Sequence, residues 1–322
     1  MASMNHLAED LIFQILSWLP VLSLLRCKSV CKSWKSIISN PKFIQAHLAI
    51  SQKKQHPFST LRVVSRSDES QDLFMDTLGE NSVKLSLPRY ISDVRAQLLI
   101  RSCNGLVILG DIFFVFLYIW NPLMRMDKLL PLAHYARLGV VNKIGFGFDP
   151  LSSDYKILRV VFGRLSDLLD NGEKKEGMVA ELYSFNANSW KPIQVPKEMQ
   201  GFKFDPISEC VCVDSRVLCL PGTDGILSFD LQDEVFRMHK YPASGEIISE
   251  VLDFEGSIAL ILRSGERASV LTLWALDEVD GNLWWTEKFN IEPAKRIAYV
   301  LIYLGDGKFN CCTRSLSCML LL

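Results

Sequence analysis

Two cysteines four positions apart, Cys27 and Cys31, stand in a short stretch with three lysines, Lys28, Lys32 and Lys35. Thiols at that spacing share one face of a helix and supply half of a tetrahedral zinc site. No nearby histidine or second cysteine pair supplies the other half, so packing inside a helical core is the expected role. A second cluster, Cys311, Cys312 and Cys318, also lacks histidines, which argues against a metal there. The three lysines fall at i, i+4 and i+7 and predict a basic helix edge, either solvated or steering an acidic partner.

Phosphate chemistry has one candidate, "GFGFDP", with Gly145 and Gly147. The third glycine of a dinucleotide loop is absent and Pro150 follows, so a β-turn is expected instead. His6, His47, His56, His134 and His239 are scattered and pair with no recognisable nucleophile, and no G-x-S-x-G or H-E-x-x-H occurs. No catalytic residue, metal or cofactor is therefore expected. Trp120, Trp190, Trp274, Trp284 and Trp285 read as a ligand-stacking set or as packing between sheets. Their place at strand ends favours packing, and an exposed member beside "DEVDGN", Trp284 or Trp285, becomes a binding-face candidate.

The elements that hold these residues come in two textures. Leu7, Leu11, Ile12, Ile15, Leu16, Trp18 and Leu19 recur at helical spacing, with Glu9 and Asp10 where a helix dipole favours anions. Pro20 stops that helix or starts the next, a "VLSLL" turn follows, and a further helix near residues 30–39 closes at Asn40-Pro41. With Leu11 at 0° and about 100° per residue, the apolar arc of the first helix spans about 160°. One buried face needs about 100°, so this helix needs cover on two sides. The second cover is either the rest of the same chain or a partner protein.

From about residue 61 the pattern changes to short apolar runs, among them "LVIL", "YKILRVVF", "RVLCL", "GILSFDL" and "SIALIL". Turn signals such as Asn104-Gly105 and Asp224-Gly225 separate them, which predicts an all-β domain of hairpins. "IFFVFLYIW", nine residues from Ile112, is too short to span a bilayer and is expected to be a buried strand. A loose rhythm links "YIWNPLMRMDKLLP", "LYSFNANSWKPIQVP", "SFDLQDEVFRMHKYP" and "LWALDEVDGNLWWTEKF". Trp190, Phe236 and Trp285 are 46 and 49 residues apart, near the period of propeller blades, whereas Trp120 to Trp190 is 70. The expected class is α+β by segregated domains: three helices, then a β-propeller, with a multi-sheet β-sandwich as the alternative. "DLLDNGEKKEG", residues 167–177, is expected to be a solvated loop tip.

Composition excludes several classes. The charge is −1, from 35 basic and 36 acidic residues, so no basic field favours nucleic acid or an anionic membrane. An apolar fraction of 49% is ample for a core. The start "MASMNHLAEDLIF" lacks the basic region of a secretory signal, and nine cysteines is an odd number. A reducing compartment, cytosol or nucleus, is expected.

The stretch "LAEDLIFQILSWLPVLSLLRCKSVCKSWKSIISNPKFIQAHL" resembles an F-box, the helical module that docks ubiquitin-ligase receptors to a Skp-type adaptor. The likeness covers residues 4–50 and rests on Leu7, Glu9-Asp10, Ile15-Leu16, Leu19-Pro20, Leu24-Leu25, Val30-Cys31, Trp34 and Phe43. Ala8 stands where the family usually has proline, which removes a preset φ but no apolar surface. "RSCNGLVIL", "GFGFDPLSSDYKILRV" and "AELYSFNANSWKPI" resemble the F-box-associated, kelch-like domain of plant receptors, over roughly residues 95–305. Ser215 and Cys219 depart from that pattern, and "CCTRSLSCMLLL" does not continue it, so an incomplete last blade is expected.

The resemblance implies four segments: an F-box over 1–50, a linker with first strands over 51–94, the β-domain over 95–310, and an atypical tail over 311–322. It also implies a non-catalytic substrate receptor that joins a target protein to a Skp-type adaptor and, through it, a cullin. The adaptor-binding residues it points to are Leu7, Leu11, Ile15, Leu19, Pro20, Leu24, Leu25, Val30 and Trp34. An F-box protein acting outside a ligase, or one that no longer recruits a target, is the alternative.

Overall fold

In the computed structural model the described residues are 9–53, 59–65, 71–77, 82–85, 99–110, 115–122, 124–135, 141–164, 176–205, 210–214, 216–242, 247–264, 270–279, 282–292, 299–305, 308–312 and 317–321. The loop tip expected over 167–177 falls largely outside them, as do Leu7, Ser215 and residues 112–114. The chain divides into two compact units, Met1–Phe58 with Thr77–Gly79, and Ser59–Asp76 with Glu80–Leu322.

The first unit contains four described helices, not three: α1 (Glu9–Ser17), α2 (Val21–Cys27), α3 (Lys32–Ile38) and α4 (Pro41–Lys53). The expected "VLSLL" turn is helical because Pro20 sits at its N-cap in the extended region, and its carbonyl accepts the Ser23 and Leu24 amides. Asn40-Pro41 ends one helix and begins another. Proline suits the first helical position, and the Asn40 side chain accepts the Lys42 amide at 2.9 Å. Leu16, Leu24, Ile38 and Phe43, one from each helix, form the core.

The second unit is a series of antiparallel sheets. Its strands are β1 (Ser59–Ser65), β2 (Gln71–Thr77) and β3 (Ser82–Leu85), then β4 (Leu99–Cys103), β5 (Leu106–Gly110), β6 (Leu117–Asn121) and β7 (Met126–Leu129). Next come β8 (Val141–Asp149), β9 (Asp154–Arg164), β10 (Glu176–Ser184) and β11 (Ser189–Ile193). They are followed by β12 (Val211–Val213), β13 (Val217–Pro221), β14 (Gly225–Asp230) and β15 (Val235–Lys240). The last are β16 (Ile247–Phe254), β17 (Ser257–Ser264), β18 (Val270–Val279), β19 (Asn282–Ile291), β20 (Tyr299–Gly305), β21 (Lys308–Cys312) and β22 (Ser317–Leu321).

Four sheets are consecutive four-stranded meanders: β4–β7, β8–β11, β12–β15 and β16–β19. The fifth, in the order β22-β1-β2-β3, takes a strand from the far end of the chain, and among the described residues β20 pairs only with β21. First strands adjoin in succession: β22 beside β4, β4 beside β8, β8 beside β12, β12 beside β16, β16 beside β20. The continuous apolar runs follow from burial on both faces. On β9, Ile157 packs toward the β4–β7 sheet while Leu158 packs toward β12–β15. On β17, Leu260 and Leu262 face the β12–β15 sheet, and Ala259 and Ile261 face the other way.

The four rhythmic segments are the hairpins between third and fourth strands. Trp190 pairs with Tyr183 and Phe236 with Phe229 at equivalent positions, one pair before the last. Trp285 pairs with Leu276 deeper in a longer hairpin, and Trp120 lies on a third strand, so neither is their equivalent. "FFVFLYIW" does not run as one buried strand; β6 begins only at Leu117, and Phe116 is exposed at a bend. Gly145 and Gly147 lie within β8, not in a turn. A Cβ on Gly145 would stand 2.7 Å from Leu218 Cδ1 and 2.8 Å from Cys210 Sγ. The turn they precede is held by Asp149, whose carboxylate accepts the Leu151 amide at 3.0 Å.

Candidate functional site

Helix α1 separates into two apolar faces. Leu16 is in the core with Ile12 and Phe13 partly buried beside it, and Phe13 meets Phe43 of α4 edge-on at 5.1 Å. The opposite stripe holds Leu11, 48% exposed, and Ile15, 55% exposed, one turn apart. Trp18, just past the helix, extends it at 62% exposure. The Leu19 carbonyl is held at 2.8 Å from His47 Nε2 of α4, which fixes the chain as it leaves α1. A wide apolar arc thus has a core on one side and an exposed ridge on the other.

The residues singled out from the sequence are distributed across both. Leu11 and Ile15 lie on the ridge, and Pro20 and Val30 are exposed. Leu19, Leu25 and Trp34 are half-buried, whereas Leu24 is 5% exposed and belongs to the core. Leu7 is outside the described residues. Trp18 and Val21, both exposed, were not among those residues; their signal was the helical spacing that placed Trp18 on the apolar arc.

Cys27 and Cys31 do not share a helix face. Cys27 ends α2, while Cys31 is the N-cap of α3 and its sulfur accepts the Trp34 amide at 3.4 Å. Among the described residues no group of three or more His, Cys, Asp or Glu is arranged to hold a metal. Lys28, Lys32 and Lys35 likewise do not form one helix edge, because Lys28 caps α2 and the other two belong to α3.

In the β unit one cluster of charged groups ties two sheets together. Lys156 on β9 donates to Asp149 at 2.9 Å, to the Leu231 carbonyl at 2.7 Å and to Glu234 at 3.3 Å, joining β8–β11 to β12–β15. Lys191 adds a second bond to Glu234 at 2.6 Å. Burial raises the carboxyl pKa of Asp149, but bonds from Ser152 and Lys156 outweigh it and hold it below the ordinary value. Glu234 is lowered in the same way, burial being outweighed by Lys191 and Lys156. Burial alone would lower Lys156, yet its two carboxylates raise it.

One histidine does meet a hydroxyl that sequence spacing concealed. Ser228 Oγ of β14 lies 2.8 Å from His239 Nε2 of β15. Burial, then Arg237, lowers the His239 pKa, but Ser228 is 3% exposed inside the sheet. A substrate has no access to that hydroxyl, so the pair is a packed hydrogen bond. Among the tryptophans, Trp120 and Trp190 are buried, and Trp190 Nε1 donates to the Pro131 carbonyl at 2.8 Å. Trp285 Nε1 donates to the Lys240 carbonyl at 2.7 Å, while Trp284 is 62% exposed.

Comparison with known proteins matches residues 4–45 to the F-box domain and residues 45–305 to the F-box associated beta propeller domain. An F-box protein of Arabidopsis thaliana is 26% identical over 309 residues, covering 88% of this chain and 68% of the relative. An F-box/kelch-repeat protein of the same plant is 30% identical over 339 residues, covering 94% of this chain and 81% of the relative. A third F-box protein of that plant is 31% identical over 247 residues, covering 72% of this chain and 61% of the relative.

Proposed function

Because the chain belongs to the F-box proteins that have an F-box associated beta propeller domain, we propose that it is a substrate-recognition subunit of an SCF-type ubiquitin ligase. The helical unit docks a Skp-type adaptor and, through it, a cullin; the β unit holds a target protein. The observation that carries this reading is the exposed ridge of Leu11, Ile15 and Trp18 on a helix whose other face already has its core. Leu11, Ile15, Trp18, Pro20 and Val30 are assigned to the adaptor interface. Leu19, Leu25 and Trp34 form its rim, and Leu24 the core behind it. Leu7 is assigned with the interface on the motif alone.

The β unit is read as a propeller. Successive adjoining first strands suit blades set around an axis, with the β20–β21 pair as a short last blade. The four segments of the chain keep the bounds given above. The protein itself performs no chemistry: tethering raises the effective concentration of target lysines near the ubiquitin-charged enzyme. Free thiols, buried as at Cys103, Cys210 and Cys219, suit the cytosol or nucleus.

Co-purification with the proteasome blocked tests this, comparing the full chain with one lacking residues 1–50. Adaptor and cullin should be captured only by the full chain; their capture by both would refute the assignment. The two-stranded sheet favours a second reading, an F-box protein that no longer recruits a target. Adaptor and cullin together, with no protein stabilised on depletion of the chain, would select it.

A further inference from the structure

Adjacent residues of a strand point to opposite faces of its sheet. On β19 one face belongs to Trp285, which packs against the core shared with β12–β15 and donates through Nε1 to the Lys240 carbonyl. Trp284 takes the other face and is 62% exposed. Tryptophan is among the residue types most enriched where one protein grips another.

The surroundings of Trp284 are anionic. Its cross-strand partner is Asp277, whose carboxylate accepts a bond from Lys288 Nζ at 2.7 Å. That bond, against a smaller effect of burial, holds Asp277 below the ordinary carboxylate value. Residues 277–288 carry Asp277, Glu278, Asp280 and Glu287 against Lys288 alone. Lys288 is engaged by Asp277, and among the described residues Glu278 and Glu287 pair with no cation. The whole chain has a charge of only −1, so this hairpin is a local concentration of negative charge. The protein itself shows what an exposed ring accepts. Phe185, 37% exposed after β10, has Lys128 Nζ over its ring at 5.0 Å. Among the described residues no cation lies over Trp284, although an indole attracts one more strongly than a phenyl ring does.

We propose that Trp284, with Asp277 and Glu278 at the end of the β18–β19 hairpin, binds an arginine side chain in an exposed basic segment of the target protein. The planar, weakly hydrated guanidinium stacks on the outward indole, and the carboxylates draw its charge. The inference rests on the receptor reading and specifies the chemistry of the target. An acidic segment is repelled by the same hairpin.

The test uses the full chain bound to its adaptor. The probe is a fluorescein-labelled peptide, Gly-Ser-Arg-Gly-Arg-Gly-Ser, followed by anisotropy. A second peptide with citrulline at both arginines keeps the shape and removes the charge. The parent should bind the arginine peptide about tenfold more tightly than the citrulline peptide. Trp284→Ala should weaken the arginine peptide about tenfold, and Glu278→Gln about threefold with a shallower salt dependence. Leu283→Ala, on the opposite face of β19, should bind like the parent. Equal affinity for both peptides, no binding by the parent, or binding undiminished in Trp284→Ala overturns the proposal; the last would leave only charge attraction. Adaptor capture is read in the same preparation. Its loss with the arginine preference intact strikes the receptor reading, and its retention with the preference lost strikes this one.

Discussion

Replacing Trp18 by alanine should weaken adaptor binding without unfolding the helical unit. A tryptophan buries about 150–250 Å² at about 25 cal/mol per Å². The side chain is 62% exposed in the chain by itself, so full cover by a partner adds about 2–4 kcal/mol. That corresponds to a rise in Kd of about fifty- to several-hundred-fold. The control is Leu24→Ala, which removes a core side chain that is 5% exposed. A cavity there costs about 2–5 kcal/mol of folding stability, comparable to all that so small a unit possesses. Both variants should therefore bind poorly for different reasons. Calorimetric titration with a purified Skp-type adaptor, paired with thermal unfolding followed by circular dichroism, separates them. Trp18→Ala should melt like the parent and Leu24→Ala should not. A Trp18→Ala Kd within about threefold of the parent would refute the ridge as the docking surface.

In the β unit, Lys156→Met should lower the urea midpoint with the slope unchanged, a loss of about 3–5 kcal/mol, because it leaves the buried Asp149 carboxylate without its cation while Glu234 keeps Lys191. Asp149 and Glu234 have folded pKa values below their ordinary 3.8 and 4.5, so their stabilisation is complete above those values and lost as pH falls below them. Unfolding curves from pH 6 to pH 3 should show that loss in the parent and a flatter limb in Lys156→Met. Gly222→Ala should destabilise by about 1–3 kcal/mol, since its Cβ would meet the Lys203 carbonyl at 2.6 Å and Phe202 Cε1 at 2.7 Å; denaturant titration reads it. Removing residues 317–321 should expose β1 and speed its amide exchange to that of an open edge, with exchange at the buried strand β14 less affected.

Much of this architecture is legible because local patterns determine it. "YKILRVVF" reads as a strand because both its faces are buried, and the rhythmic segments are third-to-fourth hairpins. Spacing misleads where hairpins differ in length, as it does in grouping Trp285 with Trp190 and Phe236. The division of the α1 arc into core and ridge is not legible. Leu11 and Leu16 are the same residue type, and only the placement of Phe43 and Ile38 decides which of them is covered. Asn40-Pro41 is readable as a stop; its second role as a start depends on Phe43 reaching the helical core from α4.

The closure of the β22-β1-β2-β3 sheet sets the order of events during synthesis. Val64 of β1 pairs with Ser317 of β22, 253 residues later. At about 5–20 residues per second a ribosome takes roughly 13–50 s to make that interval. The helical unit, whose core closes within its four described helices, can fold during all that time. On the proposed function, a nascent chain becomes competent for an adaptor before it is competent for a target, and β1 waits as an open edge until β22 emerges.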